Sequence, residues 1–130
     1  MGKHDLTADI EPLSDVDNGA ILRLAGEIDM MTIEVLREAF QGLIDRNLSN
    51  VVIDAREVTF LDSTGLHAFV EGKRLIHDHG SAIVMVPSPI VRRVLELVFP
   101  DGLFALRVET IDEATAAVKS GDDRYTGPGL

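Results

Sequence analysis

Val51-Val52-Ile53-Asp54-Ala55-Arg56-Glu57-Val58-Thr59-Phe60-Leu61-Asp62-Ser63-Thr64-Gly65-Leu66 is the stretch that decides the fold. Its first five residues are short, apolar and β-branched, the composition of a strand covered on both faces. From Leu66 the apolar positions change period. Leu66, Phe69 and Val70 open a helical stripe that runs to Ile76, with Gly72 inside it at a cost of about 1 kcal/mol relative to alanine. Between the two, residues 58–66 read as a loop, with the small residues Ser63, Thr64 and Gly65 where the helix should begin.

Working outward, the same alternation repeats. Upstream, Leu6, Ala8 and Ile10 alternate with Thr7, Asp9 and Glu11, the period of a half-exposed strand. Pro12 cannot donate to a ladder, which places that strand at a sheet edge. Asn18-Gly19 then precedes Ala20-Ile21-Leu22-Arg23-Leu24-Ala25 and predicts an antiparallel hairpin, because both turn residues tolerate positive φ. Leu36, Ala39, Phe40, Leu43 and Ile44 form one face of a helix. Downstream, Ala82–Val86 is a second buried strand, and Ser88-Pro89 caps a helix whose apolar stripe is Val91, Val94, Leu95 and Val98. Phe104, Leu106 and Val108 predict a last strand. Thr110 and Glu113 form a capping box for a final helix to about Val118. The order β-β-α-β-α-β-α-β-α predicts an α/β fold with a mixed sheet, antiparallel in the opening hairpin and parallel afterwards, with helices packed on it.

The chain has 130 residues, which at roughly 150 per domain predicts a single domain. We place it over residues 1–120, with a flexible tail over 121–130. A chain of this length buries about two-thirds of its unfolded surface and needs no metal or disulfide staple. The net charge of −10 and pI near 4.6 disfavour phosphate backbones and anionic lipid surfaces, so neither nucleic acid nor membrane is an expected partner. With no cysteine there is no thiol chemistry and no Cys-ligated metal. The longest apolar run, Ala82–Val86, is far short of a membrane span. The first twelve residues carry no leader pattern, and Leu6 stands where a myristoylation motif needs a hydroxyl. The expectation is a cytoplasmic protein without a cofactor.

The loop before the second helix carries the functional reading. At its simplest, Asp62, Ser63 or Thr64 caps the helix and does nothing more. A hydroxyl exposed at a helix start is also open to a kinase, and a phosphate there would face free N–H groups and the positive end of the helix dipole. Ser63 with Asp62 beside it and His67 four residues on superficially suggests a hydrolase. The nucleophile elbow, however, needs glycine two residues either side of the serine, and one of those positions is Leu61. Asp54 as a phospho-acceptor lacks an adjacent acidic pair and a lysine after the later strands. His4, His67, His77 and His79 show no metal-binding spacing, and no nucleotide-binding glycine loop occurs.

Leu24-Ala25-Gly26-Glu27-Ile28-Asp29, then a helix, then Val52-Ile53-Asp54, then Val58–Leu66 together resemble the STAS domain. Within it, the chain is similar to the stand-alone bacterial anti-sigma factor antagonists, over about Leu6 to Val118. The resemblance implies a STAS-like fold and a non-enzymatic binding switch. The unphosphorylated antagonist would bind an anti-sigma factor that is also a GHKL-type serine kinase, and so free a sigma factor. Phosphorylation of the hydroxyl residue before the loop glycine, here Thr64 with Ser63 as the alternative, would break that complex. A metal-dependent phosphatase of the PP2C type would restore it. The docking residues carried over are Asp29, Asp62, Ser63, Gly65 and Leu66. A subunit of a lipid-transport ABC complex or of a stress-signalling assembly is the alternative within the same domain. Three positions depart from the family pattern: Thr64 where serine is common, His67 where a small residue is common, and Arg56 where a small polar residue is common.

Overall fold

The computed structural model describes residues 5–77, 82–100 and 108–120. The described elements are β1 (Leu6–Pro12), β2 (Gly19–Ile28), α1 (Ile33–Asp45), β3 (Asn50–Leu61), α2 (Ser63–His77), β4 (Ile83–Pro87), α3 (Pro89–Val98) and α4 (Ile111–Lys119). The four strands form one sheet in the order β1-β2-β3-β4. β1 pairs antiparallel with β2, while β2 with β3 and β3 with β4 are parallel. The expected mixed sheet is present, and β1 with Pro12 lies at its edge.

Three boundaries differ from the sequence reading. The opening connection is not a two-residue Asn-Gly turn. It spans residues 13–18 and is closed by Leu13 N–H donating to the Gly19 carbonyl at 2.9 Å. Asn18 does take the left-handed conformation (φ 55°), whereas Gly19 is already in β2. Both central strands run further than their apolar runs, β2 to Ile28 and β3 to Leu61, so residues 58–61 are strand and not loop. α2 starts at Ser63, where the small residues of the sequence place the helix start. The strand expected over Phe104–Val108 lies outside the described residues except for Val108, which is not in a strand.

The extension of β3 has a structural reason. β4 pairs with it only as far as Ala55, so Glu57, Val58, Phe60 and Leu61 pair with β2 alone. Two register shifts, at Arg23/Ala25 and at Gly26/Glu27, break the alternation that would mark a continuous strand. Gly26 holds φ +119°, a conformation that side-chain-bearing residues rarely adopt.

The sheet is covered on both faces. Leu22, Leu24, Val51, Ile53, Ile83 and Met85 meet Leu36, Phe40 and Leu43 of α1, Phe69 and Ile76 of α2, and Val91 and Leu95 of α3. On the other face Ile21, Val52, Val84 and Val86 meet Ala114 and Val118 of α4. The caps follow the sequence: Ser88 Oγ accepts from Val91 N–H at 3.3 Å, and Thr110 with Glu113 forms the capping box. Val98, expected in the core, is exposed at the end of α3.

Gly72 is a point of close approach between α1 and α2. A Cβ there would lie 2.5 Å from the Phe40 ring, which packs edge-on to Phe69 with centroids 6.3 Å apart. The glycine that weakens α2 as an isolated helix is what lets it approach α1.

Candidate functional site

β2 and β3 end side by side, with Ile28 opposite Leu61. The chain then turns directly into α2. Asp62 N–H donates to the Ile28 carbonyl at 3.2 Å, which ties the turn to the end of β2. Its carboxylate accepts from Gly65 N–H at 3.0 Å and its carbonyl from Leu66 N–H at 2.9 Å. Asp62 is therefore the N-cap, and Ser63 and Thr64 are the first and second helical residues.

Ser63 is exposed and Thr64 half-buried. Neither hydroxyl has a hydrogen-bond partner among the described residues. The first N–H groups of a helix have no partner within it, so both hydroxyls sit beside free donors at the positive end of α2. Gly65 is buried: a Cβ would collide with Ile28 Cγ2 and stand 2.7 Å from Leu61 Cδ1. Only glycine lets α2 begin this close to the strand ends. Leu66 packs against the core, and His67 points to solvent.

Asp29 lies on the neighbouring turn and is buried. Its carboxylate accepts from Met31 N–H at 2.9 Å and Thr32 N–H at 3.2 Å. Asp29 N–H in turn donates to Thr32 Oγ1 at 3.0 Å, and that hydroxyl donates to the Glu27 carbonyl at 2.8 Å. Asp29 therefore shapes the turn from inside. What the turn offers to solvent is Met30 and Met31, 72% and 71% exposed. Residue-type reasoning missed this pair. The signal is the Asp-x-x-Thr spacing between a strand and a helix, which ties down the outer two residues and leaves the inner two outside.

Asp54 is buried away from this loop, on the face that carries α4. It accepts from Arg56 Nε at 2.8 Å and Nη2 at 3.0 Å, and from Arg23 Nη1 at 2.9 Å. Burial alone would raise its pKa, but the Arg56 hydrogen bonds and the two guanidinium charges outweigh it and hold the carboxyl below its ordinary value. The hydrogen bond to Asp54 raises the Arg56 pKa in return. Arg56 is thus the partner of a buried carboxylate. Asp54, engaged by two arginines, has no cluster of carboxylates around it, and no group of three or more metal-ligating side chains occurs among the described residues. In the hydrolase-like trio, the Asp62 carboxylate is taken up by the helix cap, and Ser63 is not hydrogen-bonded to His67.

The family model described as "Mlab, STAS domain" matches residues 13–105, and the chain belongs to the STAS-domain family. It is 30% identical over 109 residues to the anti-sigma-F factor antagonist RsfB of Mycobacterium tuberculosis, covering 84% of this chain and 88% of that protein. It is also 30% identical over 88 residues to the anti-sigma F factor antagonist of Paenibacillus polymyxa, covering 66% of this chain and 73% of that protein. Among solved structures, an anti-sigma factor antagonist from Mycobacterium paratuberculosis superposes with a TM-score of 0.75 at 29% identity, covering 90% of this chain and 97% of that one.

Proposed function

We propose that the chain is an anti-sigma factor antagonist switched by phosphorylation of Thr64. Unmodified, it binds an anti-sigma factor that is also a GHKL-type serine kinase, and a sigma factor is released. The kinase phosphorylates Thr64 and a PP2C-type phosphatase reverses the change. The observation that carries this reading is Thr64, half-buried at the second position of α2, with no hydrogen-bond partner for its hydroxyl among the described residues. Names of the relatives support the partner class.

The physical basis of the switch is charge. A phosphate adds about −1.5 to −2 charge and three acceptors at the helix start, where free N–H groups and the dipole accommodate it. A partner seated on Ser63, Gly65 and Leu66 instead loses a small neutral contact and meets a dianion. Asp62 and Asp29 serve the same surface by holding the cap and the adjacent turn in shape. Ser63, the more exposed hydroxyl, is the alternative acceptor.

The test is incubation with the cognate kinase and ATP, followed by peptide mass spectrometry. Modification at Thr64, abolished in Thr64→Ala, is expected. Undiminished phosphorylation of Thr64→Ala would overturn the assignment. A native pull-down with and without phosphatase should recover the anti-sigma factor, and a membrane ATPase in its place would favour the transport-subunit alternative.

A further inference from the structure

Met30 and Met31 are two adjacent, large apolar side chains held out in solvent by a turn whose backbone is fixed. The Asp29 carboxylate binds Met31 N–H and Thr32 N–H, and Thr32 Oγ1 closes the turn onto the Glu27 carbonyl. Such exposure removes apolar area from no core and contributes nothing visible to folding. The turn follows β2 directly, and Asp62 is hydrogen-bonded to the last residue of β2, so the methionines stand at the same end of the sheet as Thr64. Methionine suits a contact of this kind, because its flexible, polarisable side chain adapts to the surface it meets.

We infer that Met30 and Met31 are the apolar anchor by which the anti-sigma factor grips the Thr64 face, and that their oxidation by peroxide releases the partner without phosphorylation. The inference rests on the antagonist reading above and adds to it the contact that supplies affinity. In the oxidation, the thioether sulfur attacks peroxide, the O–O bond breaks, one oxygen stays on sulfur as the sulfoxide and the other leaves as water. Sulfur loses two electrons and peroxide gains them. Sulfoxide turns an apolar side chain into a polar one and is reversible by methionine sulfoxide reductases. With no cysteine in the chain, no thiol competes for the oxidant, and Met85 is wholly buried.

The experiment uses the full chain and a purified anti-sigma factor from the same source, with affinity read by calorimetry. The double variant Met30→Ser/Met31→Ser should bind about 30-fold more weakly, as expected when a central apolar anchor is lost. Met30→Leu/Met31→Leu should stay within about threefold of the parent, since size and apolarity are kept. Hydrogen peroxide should add oxygen to Met30 and Met31 and not to Met85 in a peptide map, weaken the parent at least about tenfold and leave the leucine variant unchanged; methionine sulfoxide reductase should restore binding. Parent-like binding by the serine variant, or equal peroxide sensitivity in the leucine variant, overturns the inference. Thr64→Glu separates the two claims. If it binds as tightly as the parent while the methionine variants behave as expected, the phosphorylation switch fails and the anchor stands. If the parent binds no anti-sigma factor, both fall.

Discussion

At the scale of single residues, the site is built by side chains that never leave their own backbone. Asp62 accepts from Gly65 N–H, and Asp29 from Met31 and Thr32 N–H. Asp62→Ala should cost about 1 kcal/mol, the usual value of an N-cap, read as a lower urea midpoint with unchanged slope. Gly65→Ala is harsher, because its methyl has nowhere to go between Ile28 and Leu61. A loss of about 1–3 kcal/mol is expected from the forced shift. Asp54 gives a pH signature. Its pKa is lowered in the folded state, so its contribution is present above the ordinary value of 3.8 and is lost as the pH falls through the folded value. Asp54→Asn should therefore be less stable than the parent by a constant margin above about pH 5, and the margin should close in more acid solution. A margin that widened toward low pH would contradict the Arg23–Asp54–Arg56 pairing.

Among elements, the decisive fit is α2 on α1 and on the strand ends. Gly72→Ala tests it with a sign that helix propensity gets wrong. Alanine should gain up to about 1 kcal/mol in an isolated helix, yet here its Cβ would sit 2.5 Å from the Phe40 ring. Thermal melting should show net destabilisation. The sequence pattern places the described strands and helices because apolar period follows burial, and it places Ser63 and Thr64 at the start of α2 because small residues stand there before a glycine. It misreads residues 58–61 as loop because Arg56 and Glu57 interrupt the apolar run and the strand there has a neighbour on one side only. It passes over Met30 and Met31 because consecutive apolar residues look alike whether they face core or solvent. Only the hydrogen bonds of Asp29 and Thr32 decide which.

For the molecule as a whole, the proposed switch lies at one end of the sheet, outside both apolar clusters. Both apolar clusters lie on the faces of the sheet, and the Thr64 hydroxyl belongs to neither. Thr64→Glu should leave the circular dichroism spectrum unchanged, since a carboxylate in the first helical turn is favourable by about 0.3–1 kcal/mol. The same variant should lose the anti-sigma factor. Unfolding of Thr64→Glu would show instead that the hydroxyl is structural. Among the described residues no helix is long and apolar enough to cross a membrane.

One strand, β3, runs from the middle of the sheet to the cap of α2. Its amides from Val51 to Ala55 lie between two neighbouring strands and under side chains on both faces, so their protons should trade with deuterium last of all. Ser63 and Thr64, two and three residues past its end, should label within the dead time of the same measurement. A gradient of local opening is thus expected along a single continuous segment, and its fast end is the part a kinase would have to reach.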